Sequence, residues 1–366
     1  MKRFLYLIHI VFTCYSTASA QQHDTLPGNW LISAKTHFGF VIAHRATIVH
    51  LQQKHVHGFE IELAKPLKGN ADWQQSYSLP LYSITYQYLD LGAKSELGGG
   101  HAIIPRIIFP LSSKHWLRMA LSAGVGIGYV EKTFDRYENY KNTAIGSHLN
   151  AVISCSYQAR MNISPAILAG AGISFTHFSN GTIRPPNLGL NIPSVHAGFS
   201  FYLGKPLPRI IYKPGPFTKT GFNKLSFGLG IKGLETDFGT NFYGITAVNF
   251  SRIKIISAKS RLSLGVDGFY DPSLVSKLEK MEKKPVAASI AYRMGMNLGY
   301  ELSAGNITLL VRNGLYVLDQ YKEDGIYYIK SGVEYDFTKK LFAAFYLKTH
   351  FGKADYFEYA IGYKFL

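Results

Sequence analysis

Apolar and polar residues alternate along most of this chain with a period of two. In residues 55–64, Phe59, Ile61 and Leu63 share one face, and Glu60 and Glu62 take the other. In residues 193–203, Val195, Ala197, Phe199, Phe201 and Leu203 point one way, and His196, Gly198 and Ser200 the other. Successive side chains of a strand face opposite sides, so such runs are strands with one apolar face and one small or polar face. Turn signals separate them. Eight strands are predicted in the first half, at about 37–44, 55–64, 77–91, 101–110, 116–131, 145–160, 165–179 and 193–203. Eight more follow, at about 225–235, 242–256, 260–270, 288–303, 306–317, 325–337, 341–351 and 356–366.

A soluble sandwich would alternate in the same way, and composition separates the two cases. Aromatics make up 14% of the chain, with 25 Tyr and 24 Phe, while charged residues are only 17%. Interface girdles of a transmembrane barrel need such rings, and 35 glycines suit its strand bends. No stretch of the mature chain reaches the roughly 18 apolar residues of a membrane helix. At the N-terminus, Lys2 and Arg3 precede an apolar stretch from Phe4 to Phe12, and Ala18-Ser19-Ala20 fits a cleavage site. Residues 1–20 therefore read as a secretory signal peptide. Cys14 lies within it, behind Val11-Phe12-Thr13, which is not a lipoprotein cleavage box. Its removal leaves Cys155 without an intramolecular partner, so the fold needs no disulfide. The expected fold class is all-β, an antiparallel transmembrane β-barrel. The formal charge of +16 could suit nucleic acid, but secretion argues against that partner. Phosphates of lipopolysaccharide are the better match for basic loops on an outer-membrane barrel. The terminal alternation of Phe357, Tyr359, Ile361, Tyr363 and Phe365 resembles the last strand of outer-membrane proteins, although Leu366 follows the aromatic.

Gly204–Lys224 holds four prolines and five lysines or arginines and reads as a linker. It divides a first half, 21–203, from a second, 225–366. Two tandem eight-stranded barrels and one barrel of about 14–16 strands both fit the strand count. The linker is long for a periplasmic turn, which favours two barrels. "FTHFSNG" (175–181) and "KTHFGKA" (348–354) stand at corresponding places and suggest a duplication.

The stretch "ISFTHFSNGTIRPPNLGLNI", Ile173 to Ile192, carries the candidate chemistry. By parity, Ile173, Phe175, His177 and Ser179 share the more apolar, lipid-side face. A Ser beside a His is a nucleophile beside a base, and a third group should orient the imidazole. Asn180 can supply an oxyanion donor. A plain turn at Asn180-Gly181 is the bland alternative. Asn180-Gly181-Thr182 also matches a glycosylation sequon, a pattern frequent by chance. Gly124, Gly126 and Gly128 lack the spacing and helix of a dinucleotide loop and read as barrel glycines. His55 and His57 lack a third metal ligand. Arg184, before Pro185-Pro186, reads as a stiff basic loop, with contact to a lipid phosphate as the alternative.

His177-x-Ser179-Asn180, followed by Asn187 and Gly189, resembles the lipid A 3-O-deacylase (PagL) family and its acyloxyacyl-hydrolase relatives. Tyr82–Gly92 and Asn142–Asn150 also look like family segments, and the resemblance covers roughly residues 30–203. It implies an eight-stranded outer-membrane barrel of a Gram-negative bacterium with a Ser-His site on its outer wall. It also implies hydrolysis of the ester-linked acyl chain at the 3-position of lipid A, with no cofactor or metal. Ser179 would be the nucleophile and His177 the base, with Asn180 and Asn187 supporting the oxyanion or shaping the site. The family's acidic partner lies fourteen residues after the His, which here is Asn191. An amide can orient an imidazole but cannot offset its charge. Any acid would have to come from elsewhere, with Asp90, Glu131 and Asp135 as candidates. In the second half, His350 stands opposite Gly352 and Lys353 in place of the Ser and Asn, so that half reads as inactive. The competing function class is a barrel without chemistry: a porin, adhesin or scaffold.

Overall fold

The computed structural model describes residues 24–113, 117–217, 219–236 and 239–366, so the expected signal peptide lies outside the described residues. The first short strand is β1 (Asp24–Leu26). Strands β2 (Trp30–Gly39), β3 (Val56–Pro66), β4 (Leu81–Asp90), β5 (Gly99–Ser113), β6 (Leu117–Val130), β7 (Leu149–Asn162), β8 (Ile167–Ser179) and β9 (Leu190–Leu203) follow, and they close into one antiparallel barrel. After β10 (Leu207–Arg209), a second closed barrel is formed by β11 (Gly221–Thr236), β12 (Gly239–Ile255), β13 (Ser260–Tyr270), β14 (Tyr292–Ala304), β15 (Ile307–Leu318), β16 (Tyr327–Asp336), β17 (Leu341–His350) and β18 (Lys353–Phe365). Two separate eight-stranded barrels are present, rather than one barrel of about 14–16 strands.

The alternation becomes an inside and an outside. Phe59, Ile61 and Leu63 are exposed on the outer wall, whereas Glu60 and Glu62 are buried in the lumen. In the lumen Lys35 Nζ lies 2.7 Å from Glu60 and 3.0 Å from Glu62, and Arg106 lies 2.9 Å from Glu60. The second lumen repeats the device with Lys224 against Glu301 (2.6 Å) and Glu334 (2.8 Å), and Lys330 against Glu358 (2.7 Å). Eight strands enclose just enough room for side chains, so both lumens are filled by paired charges. Lipid solvates the apolar outer face, and the closed ladders satisfy the backbone.

Three strand expectations need correction. The first barrel strand, β2, begins at Trp30 and ends at Gly39, not at about 37–44. Its inward Ser33 and Lys35 disguise the alternation, while the apolar Val41 belongs to a cluster over the barrel mouth. The stretch expected as pure linker is partly strand. Lys224 lies in β11 and points into the lumen, and Leu207–Arg209 pairs with Asp24–Leu26. That pairing has only two strands, where a proline such as Pro208 is tolerated. Finally, two helices, α1 (Asp72–Ser76) and α2 (Ser273–Glu282), occupy loops in which no helix was predicted.

Both barrels begin and end on the same side. The longer loops, including 40–55, 131–148 and 180–189, gather at the opposite end of the first barrel. Long loops belong on the outer face of such barrels and short turns on the periplasmic face.

Candidate active site

The outer end of β8 is held by one inward residue. Phe178 is fully buried in the apolar cluster that caps the lumen, with Val152, Leu190 and Ile192 among its members. A Cβ at Gly128 would lie 2.6 Å from the Phe178 ring, so the glycine leaves the space that the ring fills. With Phe178 fixed inward, the period of two sends His177 and Ser179 to the outer face. His177 pairs in register with Asn191 of β9, and their side chains meet: Nδ1 lies 2.7 Å from Asn191 Oδ1.

The hydrogen bonds continue beyond Asn191. Its Nδ2 lies 3.0 Å from His44 Nδ1, and His44 Nε2 lies 3.0 Å from the carbonyl of Leu188. Donors and acceptors then fall in one order. The Leu188 carbonyl can only accept, so His44 carries its proton on Nε2 and offers Nδ1 as acceptor. Asn191 therefore donates through Nδ2 to His44 and accepts through Oδ1 from His177 Nδ1–H. His177 Nε2 is left unprotonated, the state a general base requires. His44 Nδ1 also lies 3.3 Å from the carbonyl of Ile42, which it could serve as donor only when charged.

Ser179 is buried at 3% exposure beneath the loop that follows it. Its Oγ accepts from Asn187 Nδ2 at 2.9 Å and from the backbone N–H of Gly181 at 3.2 Å. Asn187 Oδ1 in turn accepts from Asn180 N at 3.1 Å. Asn180 Nδ2 donates to Ser147 Oγ and to the Arg184 carbonyl, both at 2.8 Å. The expected residues Ser179, His177, Asn191, Asn180 and Asn187 are thus brought together. His177 and Ser179 do not hydrogen-bond each other; the serine hydroxyl is engaged by the loop. Gly189 has φ +78, and a Cβ there would lie 2.7 Å from His177 Cε1. Glycine at this position lets the loop pass the imidazole edge.

The turn itself is displaced from its expected place. Ile183 N donates to Asn180 O at 3.2 Å, so Gly181 and Thr182 are its central residues, with φ +62 and +67. Asn-Gly would sit comfortably at two such positions, but here the second falls on a β-branched threonine. Left-handed backbone at a β-branched residue costs on the order of 1–3 kcal/mol and persists only where surroundings hold it.

None of the alternative carboxylates reaches His177 among the described residues. Asp90 Oδ1 accepts from Gly92 N at 3.1 Å. The Gly99 N–H, 2.7 Å from Glu131, holds that carboxyl below its ordinary value. The N–H groups of Glu138 and Tyr137 do the same for Asp135. Asp90 and Asp135 are committed to their own loops, and Glu131 to the start of β5. Reading the residues in order missed His44, Ser147 and the Gly181 N–H. His44 comes from a loop 147 residues away and meets Asn191 only because β2 closes the barrel against β9. The segment 142–150 offered a faint signal, since it supplies Ser147, and the Ala144 carbonyl accepts from Gly189 N at 2.9 Å.

His350 is not the counterpart of His177 in space. It points into the second lumen, with Nε2 2.8 Å from Tyr316 Oη, whereas His177 points outward. His350 continues the unbroken inward series Phe342, Ala344, Tyr346 and Lys348 of β17. His55 and His57 pack on Phe38 at the outer wall, with ring centroids 4.8 and 5.1 Å away. Gly124 and Gly126 lie where a Cβ would meet backbone carbonyls at 2.1 Å, consistent with barrel glycines. Arg184 is exposed on the loop over Ser179.

Comparison with known proteins divides along the two barrels. The family described as lipid A 3-O-deacylase (PagL) matches residues 57–200, and that described as acyloxyacyl hydrolase, C-terminal domain, matches residues 221–366. Among solved structures, the crystal structure of the outer membrane enzyme PagL is similar at 16% identity, covering 47% of this chain and 99% of that one, with a TM-score of 0.31. A Rhodopseudomonas blastica porin triple mutant is similar at 9% identity, over 92% of this chain and 100% of that one, with a TM-score of 0.19. The siderophore receptor PirA from Acinetobacter baumannii is similar at 9% identity, over 88% of this chain and 43% of its own, with a TM-score of 0.24. No curated protein matches the chain.

Proposed function

We propose that this chain, whose first barrel matches the lipid A 3-O-deacylase (PagL) family and whose second matches the acyloxyacyl hydrolase C-terminal domain, deacylates lipid A by a Ser179-His177 mechanism. It is a carboxylic ester hydrolase of the Gram-negative outer membrane. Its substrate class is the ester-linked acyl chain at the 3-position of lipid A. The observation that carries the mechanism is the ordered set of hydrogen bonds from Leu188 through His44 and Asn191 to His177, which leaves Nε2 free as a base.

In the reaction His177 Nε2 takes the proton of Ser179 as its Oγ attacks the ester carbonyl. For this the hydroxyl swings from its resting bonds toward the imidazole. The Gly181 N–H and Asn187 Nδ2 now holding Ser179 Oγ become donors to the oxyanion beside it. The tetrahedral intermediate collapses, the sugar oxygen leaves with the proton from His177, and the acyl group stays on Ser179. Water, activated by the same imidazole, then releases the fatty acid. Asn191 orients His177 throughout without neutralising it, so the imidazolium is stabilised less than beside a carboxylate. His177 faces the outer wall, where an acyl chain lies, and exposed Arg184 offers a cation to a substrate phosphate. A porin reading fits poorly, because both lumens are filled by paired side chains.

The test is lipid A mass after incubation with refolded protein. Loss of one hydroxyacyl group is expected. Unchanged lipid A with correctly folded protein would favour a scaffold or adhesin.

A further inference from the structure

The outer wall of the second barrel carries one residue that does not belong to a lipid face. Along β18, Tyr359 and Ile361 are 63% and 70% exposed, yet Phe357 on the same face is only 5% exposed. What covers it is the turn beside Ser179. A Cβ on Gly181 would lie 2.3 Å from Phe357 Cδ2, so ring and glycine are in direct contact. The next residue, Thr182, is held twice. Its carbonyl accepts from Gly233 N of β11 at 2.9 Å, and its Oγ1 donates to the Ala354 carbonyl of β18 at 3.0 Å. A Cβ on Gly233 would fall 2.2 Å from the Ile183 carbonyl and 3.0 Å from Pro185. The neighbouring loop is tied down as well, through Arg136 Nη2 to the Thr236 carbonyl at 3.0 Å.

We propose that the second barrel is a working part of the esterase: β11 and β18 clamp the 180–183 turn and so keep the Gly181 N–H aimed at the reacting oxygen of Ser179. The inference rests on Ser179 being the nucleophile. Thr182, Gly233 and Phe357 are positioning residues, since they act through the turn. The logic lies in the left-handed Thr182. A β-branched residue does not hold φ +67 unaided, and the only bonds its own carbonyl and hydroxyl make among the described residues are to the second barrel. Without the clamp, the turn relaxes and the Gly181 N–H swings away. This explains why a barrel without a Ser-His pair of its own is retained beside one that has it.

The test uses the full-length protein, refolded, with kcat and KM measured separately on lipid A. Gly233→Ala places a methyl against the Ile183 carbonyl and should lower kcat about tenfold or more with KM within about twofold, because a displacement near 1 Å can cost more than that. Thr182→Val keeps shape and branching but removes the donor to Ala354, and should lower kcat about threefold. Leu229→Ala, on the same β11 wall but lipid-exposed, should change neither. If Gly233→Ala does not fold, Thr182→Val decides alone. Wild-type kinetics in both variants would overturn the clamp, and so would a raised KM with intact kcat, which would make the second barrel a binding surface instead. An inactive wild type would remove the esterase reading itself, an outcome distinct from either.

Discussion

Replacing His44 by alanine tests how an amide can serve where the family has an acid. The Asn191 amide has two orientations. In one, Oδ1 accepts from His177 Nδ1–H at 2.7 Å and Nδ2 donates to His44 at 3.0 Å. In the flipped one, Nδ2 faces His177 Nδ1, which must then give up its proton and move it to Nε2. That tautomer cannot deprotonate Ser179. His44 biases the amide toward the productive orientation by about one hydrogen bond, roughly 0.5–1.5 kcal/mol. His44→Ala should therefore lower kcat by roughly two- to thirteenfold. Full inversion of the tautomer, worth ~10⁴ in a serine-protease triad, sets the ceiling. KM should stay constant, because His44 acts through Asn191. His44→Gln should recover part of the loss, since its Oε1 can accept from Asn191. The assay is the initial rate of lipid A deacylation, followed by mass spectrometry at several substrate levels. An unchanged kcat in His44→Ala, or an effect confined to KM, would refute the reasoning.

Other consequences are independent of that one. Gly189→Ala puts a methyl 2.7 Å from His177 Cε1 at a φ of +78, so kcat should fall by about tenfold or more while the barrel still folds, as checked by kinetics beside circular dichroism. Glu60→Ala strands Arg106 in the first lumen and leaves Lys35 with Glu62 alone, and should cost roughly 3–5 kcal/mol in denaturant unfolding, whereas a Leu229→Ala control should not. His350→Ala should leave deacylation nearly intact, because His350 faces the second lumen; a large loss would mean that this lumen takes part in the chemistry.

Much of the architecture is written in the period of two. Glu60 and Glu62 between Phe59, Ile61 and Leu63 already state which side faces lipid, and the structure places them so. What failed was local. Trp30–Thr36 hid as a strand because its lumen-facing Lys35 looks like a surface residue until Glu60 and Glu62 are known to face it. Lys224 was hidden in the same way, as a linker lysine that is in fact buried between two glutamates. The Ser-His pair and the three asparagines were legible because they sit within fifteen residues of one another. His44 and the clamp were not, since barrel closure and barrel–barrel contact bring them in from distant chain. The equation of His350 with His177 failed because His350 continues the inward series Phe342, Ala344, Tyr346 and Lys348 of its strand, whereas His177 follows the outward Phe175, so matching letters fell on opposite faces.

The most direct measurement compares wild type with Ser179→Ala, both refolded and shown to be folded, on purified lipid A by mass spectrometry. The substitution removes only a hydroxyl whose bonds are to the Asn187 side chain and the Gly181 N–H, so the fold should survive it. The expected result is loss of one hydroxyacyl mass with the wild type and none with Ser179→Ala. Equal deacylation by both proteins would contradict Ser179 as the nucleophile.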